Sequence, residues 1–213
     1  MARPLFIVLE GIDGSGSTTQ SRLLYERIGG AGQAVLTREP GGTPIAEKIR
    51  ALVLDPQHTS IHARAELFLY AACRAQHVYE RIIPALEAGK AVVCDRFTAS
   101  TLAYQGYGRE QDLGFIGQVA ALAEEGIQPD LTFVLDLPIE IAQQRRHLRA
   151  GLPDRLEAEE LSFHQRVATG YREIAAQHPQ KYQLLDATAP IADVARGIER
   201  ILTERWPNFP LTG

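Results

Sequence analysis

A parallel α/β sheet flanked by helices is the fold class this sequence predicts, and three features predict it. Five short apolar runs recur along the chain, at 5–10, 34–39, 91–96, 131–136 and 182–187. Within them the apolar residues are consecutive rather than alternating, as in strands covered on both faces. The stretches between them are long enough to hold the crossover helices that parallel neighbours require. A chain of 213 residues, 45% apolar and 23% charged, has an ordinary globular composition, which excludes disorder, collagen and coiled coil. No internal repeat or linker-like tract divides it, so a single domain over 1–213 is expected.

The first strand, 5–10, runs into Gly11, Ile12, Asp13, Gly14, Ser15, Gly16, Ser17, Thr18 and Thr19, with a helix over 18–29. Glycines at 11, 14 and 16 permit a tight turn whose N–H groups converge on phosphate oxygens, and the helix N-terminus adds its positive dipole end. The phosphate-loop frame G-x-x-x-x-G-K-[ST] is met everywhere except at the lysine, where Ser17 stands. A general drift away from lysine does not explain this, because the chain holds 19 arginines and 3 lysines, and drift would leave arginine. Thr18 is placed to offer a hydroxyl to Mg²⁺, and Asp95, closing the 91–96 strand, is the matching carboxylate. A bare glycine-rich turn joining strand to helix is the plainer alternative; the position of the loop, with Thr18 and Asp95, favours nucleotide phosphate.

Strand 34–39 is followed by Glu39-Pro40-Gly41-Gly42, a turn in isolation. Thr43 as N-cap and Pro44 at the first helical position open a helix over 43–54. The next helix, 62–88, is stopped by Gly89. On it Tyr70 and Arg74, four apart, share a face and present a ring beside a guanidinium fork, which suits a flat base bearing carbonyl acceptors. Spacing alone favours a core aromatic beside a solvated charge. Strand 91–96 brings Arg96 next to Asp95, either to grip a phosphate bidentately or to pair with its neighbour. Helices at 112–125 and 138–149 flank strand 131–136. Arg145, Arg146, Arg149 and Arg155 against Asp154 concentrate positive charge for an anion, or form a solvated helix face. A helix over 157–177, strand 182–187 and a helix over 190–205 with an apolar stripe of Val194, Ile198, Ile201 and Leu202 complete the chain.

Ligands of open parallel sheets sit beyond the carboxyl ends of the strands, so Glu10, Arg38, Glu39, Asp95, Arg96, Asp136 and Asp186 are expected to line one crevice. The histidines at 58, 62, 77, 147, 164 and 178 form no metal spacing and read as surface or helix-face residues. A net charge of −4 argues against nucleic-acid binding. The N-terminal apolar run stops at Glu10, too short for a signal peptide or membrane span. Two cysteines without a cluster, Cys73 and Cys94, leave a cytoplasmic protein as the default.

GIDGSGSTTQ, TREPGGT at 37–43, LFLYAACRAQH at 67–77, DRFTASTLAYQG at 95–106 and RAGLPDRLE at 149–157 together resemble the thymidylate (dTMP) kinases, in that family's order and over nearly the whole chain. The resemblance implies a phosphate-loop nucleoside monophosphate kinase fold, a homodimer, and transfer of a phosphoryl group from ATP to dTMP with Mg²⁺. It implies ATP on residues 11–19 and Arg145, with thymine stacked on Tyr70 and hydrogen-bonded by Arg74. Arg38, Glu39 and Arg96 would lie by the acceptor phosphate, Ser100, Thr101 and Gln105 around the base, and Tyr104 where a ribose 2′-hydroxyl would go. Asp13 would sit near the 3′-hydroxyl and the metal. The segment from 145 to 155 would form a lid with Arg146 and Arg149 as catalytic arginines. Two alternatives stand beside this reading: a weak or inactive binder of dTMP and ATP, because the loop lysine is Ser17, or a kinase for another monophosphate.

Overall fold

The computed structural model describes residues 3–148 and 152–211. The five apolar runs form β1 (Phe6–Glu10), β2 (Ala34–Arg38), β3 (Ala91–Asp95), β4 (Leu131–Asp136) and β5 (Tyr182–Asp186), all parallel, in the order β2-β3-β1-β4-β5. Every residue of β1 and β3 is buried, which is why each strand is apolar up to the carboxylate that closes it, Glu10 and Asp95. Phe6, Val8, Val92 and Cys94 pack to one side of the sheet with Val78, Ile82 and Phe97. Ile7, Leu9, Val93 and Phe133 pack to the other with Leu24, Tyr171 and Ile198. The chain crosses from the β2–β3 side to the β4–β5 side at β1, and this switch point opens the crevice beyond the carboxyl ends of β1 and β3.

The crossovers are α1 (Ser17–Arg27), α2 (Pro44–Leu54), α3 (Ala63–His77), α4 (Ile83–Glu87), α5 (Thr98–Thr101), α6 (Leu113–Glu124), α7 (Ile139–His147) and α8 (Leu161–Gln177), and α9 (Ile191–Arg205) follows β5. Thr43 caps α2 through Ala46 N–H, with Pro44 at its first position. The stretch expected as one helix over 62–88 is α3, a π-helical turn over Val78–Ile82, and α4. Pro84 lacks the N–H a regular α-helix would bond at that point, and the wider turn absorbs the loss. The helix expected from 157 begins at Leu161, because Asp154 Oδ1 accepts from the N–H of Leu156 and of Glu157 and holds a turn there instead.

The sequence offered no helix between 96 and 112, yet α5 and a π-helical segment over Leu102–Gly108 occupy it. Its Thr, Ser and Gly residues have low helix propensity. The segment is helical because the buried Glu10 carboxylate accepts from Phe97 N–H at 2.8 Å and Ser100 N–H at 3.1 Å, capping its start from another element.

Candidate active site

Beyond β1 the backbone turns through Gly11, Gly14 and Gly16 with φ of 150°, 94° and 93°. A Cβ on Gly11 would lie 2.7 Å from Leu135 O, and one on Gly14 2.5 Å from Ala142 O, so only glycine fits. Ser15 N–H donates to Ile12 O at 2.9 Å and closes the loop. Helix α1 starts at Ser17 with no side chain capping it and no acidic residue in its first turn, which leaves its first N–H groups to an anion. Among the described residues Ser15 Oγ is buried without a partner. The Thr18 hydroxyl donates to Asp95 Oδ2, and Asp95 Oδ1 is buried and unpartnered among the described residues. A hydroxyl and an under-used carboxylate side by side are oxygen ligands of the kind Mg²⁺ takes, so these residues fit that ion. Arg38, opposite Asp95 in the β2–β3 register, pairs with Glu47 at 2.9 Å and lines a separate hollow with Thr18 and Asp95.

Beside the loop lies a cleft of about 590 Å³ lined by Asp13, Glu39, Tyr70, Arg74, Arg96, Phe97, Ser100, Thr101, Tyr104 and Gln105, with Pro40, Arg50, Leu54, Asp154 and Leu156. Its lining joins two guanidinium groups, Arg74 and Arg96, to the aromatic rings of Tyr70, Phe97 and Tyr104. At one end Arg96 Nη2 meets Asp13 Oδ1 at 2.8 Å and the Tyr104 hydroxyl donates to Asp13 Oδ2 at 2.7 Å. Burial alone would raise the Asp13 pKa, but the Arg96 charge and the Tyr104 hydrogen bond outweigh it and hold the carboxyl below its ordinary range. Arg96 has φ 73°, a left-handed conformation that costs a non-glycine residue about 1–3 kcal/mol. Its N–H bond to Leu9 O, 2.8 Å, helps keep it there, and the turn aims the guanidinium into the cleft.

At the other end Arg74 is tethered to Glu39 Oε2 through Nε at 2.8 Å and Nη2 at 2.7 Å, and lies 4.7 Å over the Phe97 ring. Its Nη1 is buried with no partner among the described residues. A flat ligand carrying a carbonyl would satisfy that donor, with Tyr70 one turn earlier offering a ring. Gln105 Nε2 donates to Glu66 Oε1 at 2.9 Å, and the fully buried Glu66 also pairs with Arg109 and Arg155. These charges overcome the burial that would raise the Glu66 pKa and leave it lowered.

Several expectations are corrected. Glu10 does not line the crevice: it lies under it, accepting from Ser100 Oγ at 2.6 Å and Tyr171 OH at 3.0 Å, with burial raising its pKa. Asp136 pairs with Arg172, and Asp186 closes a turn on Thr188, so neither faces the cleft. Arg155 is an anchor rather than a free lid arginine, 2.6 Å from Glu66 and donating through Nε to Val53 O, and it holds Asp154 and Leu156 in the cleft wall. His77 and His164 are buried, not surface residues. Arg145 reaches Ala187 O at 2.9 Å and Gly14 O at 3.5 Å beside the loop. Arg146 Nη1 is 3.4 Å from His164 Nε2. Burial and the Arg146 charge lower the His164 pKa. Arg149 lies outside the described residues. Sequence reasoning missed Phe97, Pro40, Arg50 and Leu54; Phe97, directly after the Asp95-Arg96 pair, was the one with a signal.

The thymidylate kinase family model matches residues 9–198. Thymidylate kinase of Citrifermentans bemidjiense is 44% identical over 98% of this chain and 95% of its own. That of Syntrophotalea carbinolica is 48% identical over 96% and 97%. The crystal structure of thymidylate kinase from Ehrlichia chaffeensis is similar with a TM-score of 0.76 at 35% identity, covering 94% of this chain and 99% of that one. A phosphate loop at the switch point of a five-stranded parallel sheet, a cleft with arginines and aromatic rings beside it and these likenesses agree: the chain belongs to the thymidylate kinase family.

Proposed function

We propose that this chain, acting as one domain, transfers the γ-phosphoryl group of ATP to dTMP, giving dTDP and ADP. The observation that carries this is the cleft beside the phosphate loop, with an unpartnered buried guanidinium donor at one end and the Arg96 fork at the other. Thymine lies between Tyr70 and Phe97 with its carbonyl on Arg74 Nη1, near Thr101 and Gln105. The acceptor phosphate lies on Arg96 near Ser100, and the deoxyribose against Asp13 and Tyr104. The loop N–H groups and α1 hold the ATP phosphates, with Arg145 alongside. Thr18 and Asp95 would hold Mg²⁺, which would draw charge from the phosphoryl oxygens.

An oxygen of the acceptor phosphate forms the new P–O bond as the bond from γ-phosphorus to the bridging oxygen of ADP breaks. The acceptor is already ionised at neutral pH, so alignment and charge stabilisation do the work and no general base is required. Arg146, and by the family pattern Arg149, supply positive charge that Ser17 does not. Exposed apolar side chains on three packed helices, Ile45 and Leu52 on α2, Phe68 on α3 and Leu122 on α6, support a homodimer. Ser17 favours one second reading, a binder of both nucleotides with slow turnover.

A coupled ADP-release assay with ATP, Mg²⁺ and dTMP, dUMP or AMP tests the proposal. ADP release stimulated most by dTMP is expected. Release independent of acceptor, or greatest with AMP, overturns it, and calorimetric binding of both nucleotides without turnover selects the second reading.

A further inference from the structure

Arg74 does not stand alone. Behind it, Glu39 uses Oε2 for Arg74 and Oε1 for His77 Nδ1, at 2.9 Å, and His77 Nε2 lies 2.7 Å from Thr37 Oγ1. The side chains of Arg74, Glu39 and His77 are 3%, 5% and 0% exposed. An ionised carboxylate only accepts, so the imidazole proton on this side sits on Nδ1, and Nε2 is left to the Thr37 hydroxyl. Room for the chain is made by Gly42, where a Cβ would come within 2.7 Å of both His77 Cδ2 and Thr37 Oγ1.

Deepening the dTMP reading on which it rests, we propose that His77 is a positioning residue for base selection: through Glu39 it fixes which guanidinium nitrogen of Arg74 faces the cleft. With both Glu39 oxygens engaged, the carboxylate cannot rotate, Arg74 Nε and Nη2 stay bound to it, and Nη1 alone is presented to the base. A donor fixed there donates to a base carbonyl and opposes a base carrying an amino group in the same place, so the discrimination is thymine over cytosine.

The test compares His77→Leu with His77→Asn, whose side-chain amide can replace Nδ1–H but not Nε2. The leucine variant is expected to raise KM for dTMP by about tenfold, as for loss of a hydrogen bond to a charged group, with kcat and KM for ATP little changed. Its kcat/KM preference for dTMP over dCMP should fall by a similar factor, and the asparagine variant should restore most of that preference. Should the leucine variant fail to fold, His77→Gln, whose amide lies nearer the Nε2 position, takes its place with the same expectation. An unchanged preference in these variants overturns the proposal, as does asparagine performing no better than leucine. Calorimetric dTMP and dCMP affinities read the relay independently of turnover. Wild-type turnover with dTMP, run alongside, tests the underlying reading separately.

Discussion

The two halves of the site are made of different material. The acceptor cleft is built from side chains paired in advance: Arg96 with Asp13, Arg74 with Glu39 and His77, Gln105 with Glu66. The phosphate loop is built from main chain, with three glycines at positive φ and an uncapped helix start. Backbone amides bind phosphate whatever side chain they carry, which is how a loop with serine at the lysine position keeps its shape. A side-chain cleft has less tolerance, because removing a partner such as Glu39 leaves the buried Arg74 charge unpaired.

The largest effect should come from breaking the cleft's ion pair at the phosphate end. Arg96→Ala is expected to lower kcat/KM for dTMP by about 10² to 10³, the cost of removing the phosphate's guanidinium and leaving its half-buried partner Asp13 unpaired. Arg96→Lys should recover little, since an ammonium cannot reproduce the fork. Steady-state kinetics with dTMP varied checks this, and a loss under tenfold would contradict a pre-paired cleft.

On the loop side, restoring a cation should act on rate rather than binding. Ser17→Lys is expected to raise kcat by up to about 10², the size of one charge-stabilising donor, while ATP affinity changes little. Arg146→Ala should cost more in the unmodified protein than beside S17K, because the two cations share one task. A double-mutant cycle on kcat measures this, and additive effects would mean that Arg146 does not compensate for Ser17.

Smaller still is the base-stacking contribution. Tyr70→Ala should weaken dTMP binding by about 1–3 kcal/mol, by analogy with aromatic stacking on bases, leave ATP binding intact, and be nearly silent as Tyr70→Phe. Calorimetry on each nucleotide separates the halves; equal losses for both would dissolve the distinction.

The smallest effect is on stability against acid. Guanidinium partners hold the pKa values of Asp13, Glu39 and Glu66 below their ordinary ranges despite burial, which alone would raise them. The stability they contribute is present above the unfolded carboxylate values, about 4, and is lost as pH falls through their lower folded values. Glu10, raised by burial, opposes them, its contribution being lost as pH rises through its folded value. Calorimetric Tm from pH 3 to 7 should fall at the acid end, with a shallower slope in Glu39→Gln than in a loop variant such as Ser17→Ala.

Much of this comparison was legible before any coordinates. The loop announces itself because glycine spacing after an apolar strand is a local pattern, whereas helical spacing puts Tyr70 and Arg74 on one face and by itself favours a core aromatic beside a solvated charge. Arg155 was misjudged since it looks like its arginine neighbours in the chain; only the fold puts Glu66 against it. His77 was dismissed on the same ground, as nothing near it in sequence names Glu39 as its partner.

What the sequence determined by itself was the set of strands, the phosphate loop with its serine, and the helical face that Tyr70 shares with Arg74. All follow from the chemistry of residues a few positions apart. What only the tertiary structure decided was which charges are spent on one another. Arg74 and Glu39 are 35 positions apart, and Glu10 and Ser100 are 90. The capping of α5 by Glu10 likewise turns a poor helix former into the wall of the cleft. Such pairings depend on where packing of the apolar faces brings distant backbone together, and that packing is a property of the whole chain rather than of any segment.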